Sequence, residues 1–241
     1  MAKKFWNFIK NEGSNSANLQ LYGEIADTSW WGDEVTPKDF KDELDALGDI
    51  GTLNVYINSP GGDVFAGQAI HSMLKRHKAQ VNVYVDGLAA SIASVIAMAG
   101  DKVIMPSNAM LMIHDPWTIA AGNAQDFRKM ADDLDKIKES LIAAYLGKAT
   151  NLDEATISEM MKEEKWLTAQ EAVDYGFADE VEEAKDYAAS LKGRFLSLYK
   201  NIPENLTAIA KADTKQEPKE EPKQDQKTEL LKAKLALELA I

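Results

Sequence analysis

Between Leu53 and Ala99 the chain alternates between two hydrophobic periods, and this limits its fold more than any other feature. Leu53-Asn54-Val55-Tyr56-Ile57-Asn58 places an apolar side chain at every second residue and reads as a strand, whereas Phe65 to Arg76 follows helical spacing. Val81-Asn82-Val83-Tyr84-Val85 returns to the strand period, and Ser91 to Ala99 is a helix of small residues. This β-α-β-α order predicts a mostly parallel sheet with helices packed on it, in which ligands gather at the carboxyl ends of the strands. Ser59 and Gly87 are read at those ends.

The flanking sequence extends the same α/β reading. Residues 8–18 are polar and rich in Asn, Ser and Gly, so residues 1–18 are predicted to form a flexible arm and the first strand is placed at Leu19 to Ile25. Thr36-Pro37 has the form of an N-cap followed by proline at the first helical position, with Phe40, Leu44 and Leu47 at helical spacing behind it. Short strands are expected at Lys102 to Ile104 and Met110 to Ile113. A long helix from about Asn123 to Lys148 carries the stripe Phe127, Met130, Leu134, Ile137, Leu141 and Tyr145. Such a stripe packs either on its own domain or on a neighbouring subunit. Helices at Asp153 to Met161, Thr168 to Tyr175 and Glu183 to Tyr199 complete a domain over 19–200.

In the remaining segment, 201–241, residues 215–227 hold no apolar side chain except proline and are predicted to be a disordered, charged linker. Leu230 to Leu239 then resumes a helix-forming pattern, suited to docking on a partner.

Composition narrows the chemistry. A net charge of −12 without a basic cluster argues against nucleic acid and anionic lipid as partners. No apolar run reaches the ~18 residues of a membrane span, and no secretory signal pattern opens the sequence, so a cytoplasmic location is expected. With no cysteine, disulfides, thiolate catalysis and cysteine-ligated zinc are excluded together. Three dispersed histidines argue against a catalytic zinc. No metal and no cofactor is expected, and the absence of a Gly-x-x-x-x-Gly-Lys-Ser/Thr motif leaves any ATP use to another chain.

One nucleophile and base combination stands out. Ser91 lies in Gly87-Leu88-Ala89-Ala90-Ser91-Ile92, and His114 in Met112-Ile113-His114-Asp115-Pro116. A hydroxyl attacks a carbonyl only when a base takes its proton, and imidazole titrates near neutral pH. Asn58-Ser59-Pro60-Gly61-Gly62-Asp63 ends a strand and opens a helix, so backbone amides there approach a ligand with no Cβ in the way. The amide of Ile92, at the start of the next helix, aims at the same region. His71 and His77 are assigned to solvation or capping. Trp117 and Trp166 are assigned to the wall of the site.

These segments, together with Leu167-Thr168-Ala169-Gln170-Glu171-Ala172-Val173-Asp174-Tyr175-Gly176, resemble the proteolytic subunit of the Clp protease in order and spacing over roughly Leu19 to Val181. The resemblance implies a crotonase-like β-α superhelix with the long helix as an inter-subunit handle. It also implies a serine endopeptidase with Ser91 as nucleophile, His114 as general base and then acid, and the main-chain amides of Gly62 and Ile92 as oxyanion hole. The family places an aspartate where this chain has Glu164, so the resemblance assigns Glu164 to orient His114, with Glu163 as the alternative. One extra methylene displaces the charge by ~1.5 Å, and a misoriented histidine costs ~10⁴ in turnover.

A homo-oligomeric ring acting on protein or peptide substrates is the expected assembly. The charged tail makes the chain similar to phage-encoded relatives that mature procapsids, with scaffold and capsid proteins as partners in the host cytoplasm or inside the procapsid. A housekeeping subunit working with a AAA+ unfoldase is the alternative. Two further classes remain open: a non-catalytic scaffold or binding subunit, and a crotonase-type acyl-CoA enzyme.

Overall fold

The computed structural model describes residues 4–26, 36–184 and 199–203. The first strands are β1 (Trp6–Lys10) and β2 (Ser16–Tyr22), an antiparallel hairpin closed by a turn in which Gly13 takes φ 75°. Residues 6–10 therefore belong to the sheet, not to a flexible arm. The Asn- and Ser-rich run supplies the turn, while Phe5 and Trp6 bury their rings and Trp6 meets Phe40 edge-on at 5.5 Å. Hydrophobic anchoring of two aromatics outweighs the polar composition around them.

Helix α1 (Pro37–Asp45) starts at a reciprocal cap between Thr36 and Asp39 and buries Phe40 and Leu44. Then β3 (Thr52–Ser59), α2 (Val64–Lys75), β4 (Gln80–Ala90) and α3 (Ile92–Ala97) follow in the predicted alternation. Strands β2, β3 and β4 are parallel, and Leu19, Leu21, Leu53, Val55, Ile57, Val81, Val83 and Val85 form a buried layer. Each such side chain contributes about 1.5–3 kcal/mol by leaving water. In the alternate positions, Asn54 donates to Asn18 at 3.2 Å and Asn82 to Asn54 at 3.3 Å, beside the stacked rings of Tyr56 and Tyr84.

Strand β4 is longer than its sequence pattern suggested. Its first half pairs with β5 (Lys102–Pro106) through Asn82 to Tyr84, and its second half pairs with β6 (Met110–Ile113) through Leu88 to Ala90. Gly87 lies between the two pairings, inside the strand and not at its end. The strand continues because β6 offers Leu88, Ala89 and Ala90 a second parallel partner.

Helix α4 (Ala124–Leu146) buries Leu141, Ile142 and Tyr145, whereas Phe127 is 50% exposed and Met130, Leu134 and Ile137 are half-buried. Only the carboxyl half of its stripe packs fully on this domain. After α5 (Glu154–Lys162), β7 (Lys165–Thr168) runs antiparallel to β6, α6 (Ala169–Asp174) follows, and β8 (Glu180–Glu182) pairs with β5. The two last strands were not read from sequence; at four and three residues they are too short to show a period. Most of the helix predicted over 183–199, and the tail beyond 203, lie outside the described residues.

Helices α2 and α3 approach at Gly67, where a Cβ would sit 2.1 Å from Cγ1 of buried Ile92. Gly67→Ala is expected to lower stability by about 1–3 kcal/mol by overpacking. Denaturant titration of the variant beside the parent measures it.

Candidate active site

Parallel pairing of β4 with β6 brings the ends of both strands together, with Ala90 opposite Met112. Ser91 follows directly, its N–H donating to the Met112 carbonyl at 2.9 Å. It takes φ 55° and ψ −129°, a conformation that costs a non-glycine residue about 1–3 kcal/mol and is kept only where its surroundings enforce it. The Ser94 hydroxyl donates to the Ser91 carbonyl at 2.6 Å and meets the Tyr145 hydroxyl at 2.8 Å. Ser94 has one proton, so Tyr145 must donate to it. The long helix thus braces the turn that presents Ser91.

His114 lies just past β6, with Nε2 2.7 Å from Ser91 Oγ. Burial drives its pKa down to about 4, against the charges of Glu164 and Asp115, which raise it. The ring is therefore neutral at neutral pH, as a proton acceptor must be. Asp115 turns to Lys138 of α4, with an ion-pair distance of 2.7 Å, and its N–H donates to Met161.

The antiparallel register of β6 and β7 pairs Ile113 with Lys165, so Glu164 falls opposite His114, with φ 53°. Its carboxylate nevertheless binds other groups. It accepts from the N–H of Lys200 at 2.7 and 3.0 Å, from the N–H of Asn201 at 2.7 Å and from Trp166 Nε1 at 3.4 Å. Among the described residues no hydrogen bond joins it to His114. Glu163 meets the same segment through its carbonyl, which accepts from Asn201 Nδ2 at 2.9 Å.

The paired glycines are required where they stand. At Gly61, φ 94°, a Cβ would come within 2.6 Å of Ser91 Cβ; at Gly62, φ 151°, it would meet the Ile25 carbonyl at 1.9 Å. Ile25 donates to the Gly61 carbonyl at 2.9 Å and accepts from Asp63 at 2.7 Å, a parallel bridge that turns the N–H of Gly62 away from Ile25. Ile92 is the first residue of α3, and its N–H has no acceptor within the helix. A cavity of about 690 Å³ adjoins these groups, walled by Gly62, Ser91, His114, Trp117, Ile137 and Tyr199.

Sequence reasoning brought Ser91, His114 and Gly62 to one cavity and put Glu164 beside it, but missed Tyr199, Lys200 and Asn201. Tyr199 ended a stretch read as helix, Lys200 and Asn201 followed it, and nothing in their spacing links them to a site far away in the chain. His77, just past α2, accepts at Nδ1 from the Ala79 N–H at 3.1 Å, within the turn that leads to β4. Among the described residues no group of His, Asp and Glu is arranged to hold a metal ion, and no helix is long and apolar enough to cross a membrane.

The fold is thus an α/β architecture in which two parallel strands of a mixed sheet deliver a serine and a histidine to one cleft. Residues 42–185 match the family model described as Clp protease. The chain is also 39% identical over 139 residues, 56% of its own length and 70% of the relative's, to the ATP-dependent Clp protease proteolytic subunit of Ligilactobacillus salivarius (strain UCC118). The protein belongs to the Clp protease family.

His114 has a folded pKa below the unfolded ~6.5, so the folded chain holds fewer protons between pH 6.5 and about 4. Its contribution to stability is complete above pH 6.5 and disappears as pH falls through that window. Histidine-selective NMR titration is expected to give it a midpoint near 4, and Glu164→Gln, which removes a charge favouring protonation, moves the midpoint lower.

Proposed function

We propose that the chain is a serine endopeptidase subunit in which Ser91 attacks the peptide carbonyl while His114 Nε2 takes its proton. The 2.7 Å contact between Oγ and Nε2, at a backbone conformation enforced by the β4–β6 pairing, is the observation that carries the reading. The amides of Gly62 and Ile92 receive the developing oxyanion. His114 then protonates the leaving amine, and water repeats the sequence on the acyl-enzyme. Glu164 supports the imidazolium by holding Nδ1–H once its carboxylate turns to His114.

The subunit works in a homo-oligomeric ring that takes protein or peptide substrates. Phe65, Ile119 and Phe127, exposed by 66%, 83% and 50%, give α2, the loop before α4 and α4 an apolar surface that neighbouring subunits would cover. A ring also screens the serines from bystander proteins, which suits a cytoplasmic enzyme.

The charged linker and helix-forming end of 201–241 favour a role in procapsid maturation, with scaffold and capsid proteins as substrates and the tail as docking segment. The curated relative, named as ATP-dependent, supports the alternative of an unfoldase partner. Degradation of a loosely folded protein without ATP favours the first; a requirement for ATP and a AAA+ partner favours the second.

A fluorophosphonate probe is expected to label the parent at Ser91 and to leave Ser91→Ala unlabelled. Ser91→Ala and His114→Ala should each lower peptide turnover by at least about 10⁴-fold. Unchanged hydrolysis in either variant rules the mechanism out.

A further inference from the structure

The segment from Tyr199 to Asn201 lies against the catalytic cleft, where it meets His114, the Pro60 carbonyl and the carboxylate of Glu164. The Tyr199 side chain is 8% exposed, its ring edge-on to His114 at 5.2 Å and to Trp166 at 6.1 Å. Its hydroxyl donates to the carbonyl of Pro60, next to the paired glycines, and its side chain lines the same cavity as Ser91 and His114. One residue on, the amides of Lys200 and Asn201 take the carboxylate of Glu164.

These contacts oppose the reaction. Productive chemistry needs the proton of His114 on Nδ1 with a carboxylate to hold it, and the carboxylate placed for that is occupied by two backbone amides. The buried ring of Tyr199 covers His114 and lines the cavity beside Ser91, where a substrate would lie.

We propose that Tyr199, Lys200 and Asn201 form a tethered latch, an intramolecular ligand of the catalytic cleft that covers His114 and withholds Glu164 until it is displaced. The proposal rests on the reading of Ser91 as nucleophile. Opening the latch uncovers His114 and frees Glu164, and both changes favour its protonated form. Asp115 stays paired with Lys138 of α4, so Glu164, just before β7, and Tyr199 are the facing groups that change. While the closed form dominates, it sets the acid limb of Ser91 reactivity at the low pKa of the covered histidine; once it is lost, the limb moves toward neutral pH.

The test is the rate of fluorophosphonate labelling of Ser91 against pH in the full chain, for the parent and for Tyr199→Ala, Tyr199→Phe and Lys200→Pro. Tyr199→Phe keeps the ring and deletes the hydroxyl; Lys200→Pro deletes an N–H that Glu164 accepts. Each variant is expected to label at least about tenfold faster at pH 7.5, the worth of about one hydrogen bond, with the acid limb displaced upward from about 4. A synthetic Tyr-Lys-Asn-Ile-Pro peptide should slow Tyr199→Ala again, and a peptide with Ala in place of Tyr should not.

Equal rates and an unmoved limb in all four proteins, with Ser91 labelled in each, overturn the latch and leave the peptidase reading intact. Scission of the parent between Tyr199 and Lys200 also overturns it, since the segment would then be a substrate. No labelling of Ser91 in any variant overturns the peptidase reading, and the latch with it.

Discussion

The pairing of β4 with β6 is the interaction on which the site depends. A strand that kept β5 as its neighbour throughout would leave Ser91 at a sheet edge with nothing across from it. Because the partner changes past Gly87, the Ala90–Met112 register fixes where β4 stops, and the hydrogen bond from Ser91 to Met112 sets the strained turn. His114 lies two residues past that acceptor, and β7 pairs with the other edge of β6, bringing Glu164 opposite. Nucleophile, base and carboxylate thus stand on three consecutive strand ends, each placed by backbone hydrogen bonds and not by loop conformation. Rigid placement of this kind is what a serine needs, since sub-ångström displacement of the base is costly in rate.

The same geometry explains why glycine occurs where it does. The Gly61–Gly62 turn presses on Ser91 on one side and on Ile25 on the other, in conformations that L side chains rarely adopt, with no room for a Cβ. Gly67 lets α2 approach the side chain of Ile92. These three positions are packing requirements first, and two of them also shape the turn to which the proposed mechanism gives the oxyanion.

One region of the domain leaves a run of large apolar side chains uncovered. The amino half of α4 keeps its stripe but buries little of it, and Ile119 and Phe65 extend the apolar surface toward the cleft. Around Ser91, by contrast, the covering group comes from the chain itself. The chain itself supplies donors to the Glu164 carboxylate and the Pro60 carbonyl, which is what desolvated acceptors demand.

Much of this was legible from sequence. The alternation from Leu53 to Ala99 set the α/β class and the parallel sheet, since periods of two and 3.6 expose different faces. The motifs around Ser59, Ser91, His114 and Leu167 named the family and brought the serine and histidine together, because the residue types that do acyl transfer are few and this chain has only three histidines. Tertiary structure alone decided the rest. Trp6 became part of a strand because a ring from α1 was there to receive it. Ser91 and Glu164 took left-handed backbone because strand register forced it. Glu164 bound Lys200 and Asn201, because a carboxylate goes to the nearest donors in space, whatever their distance along the chain.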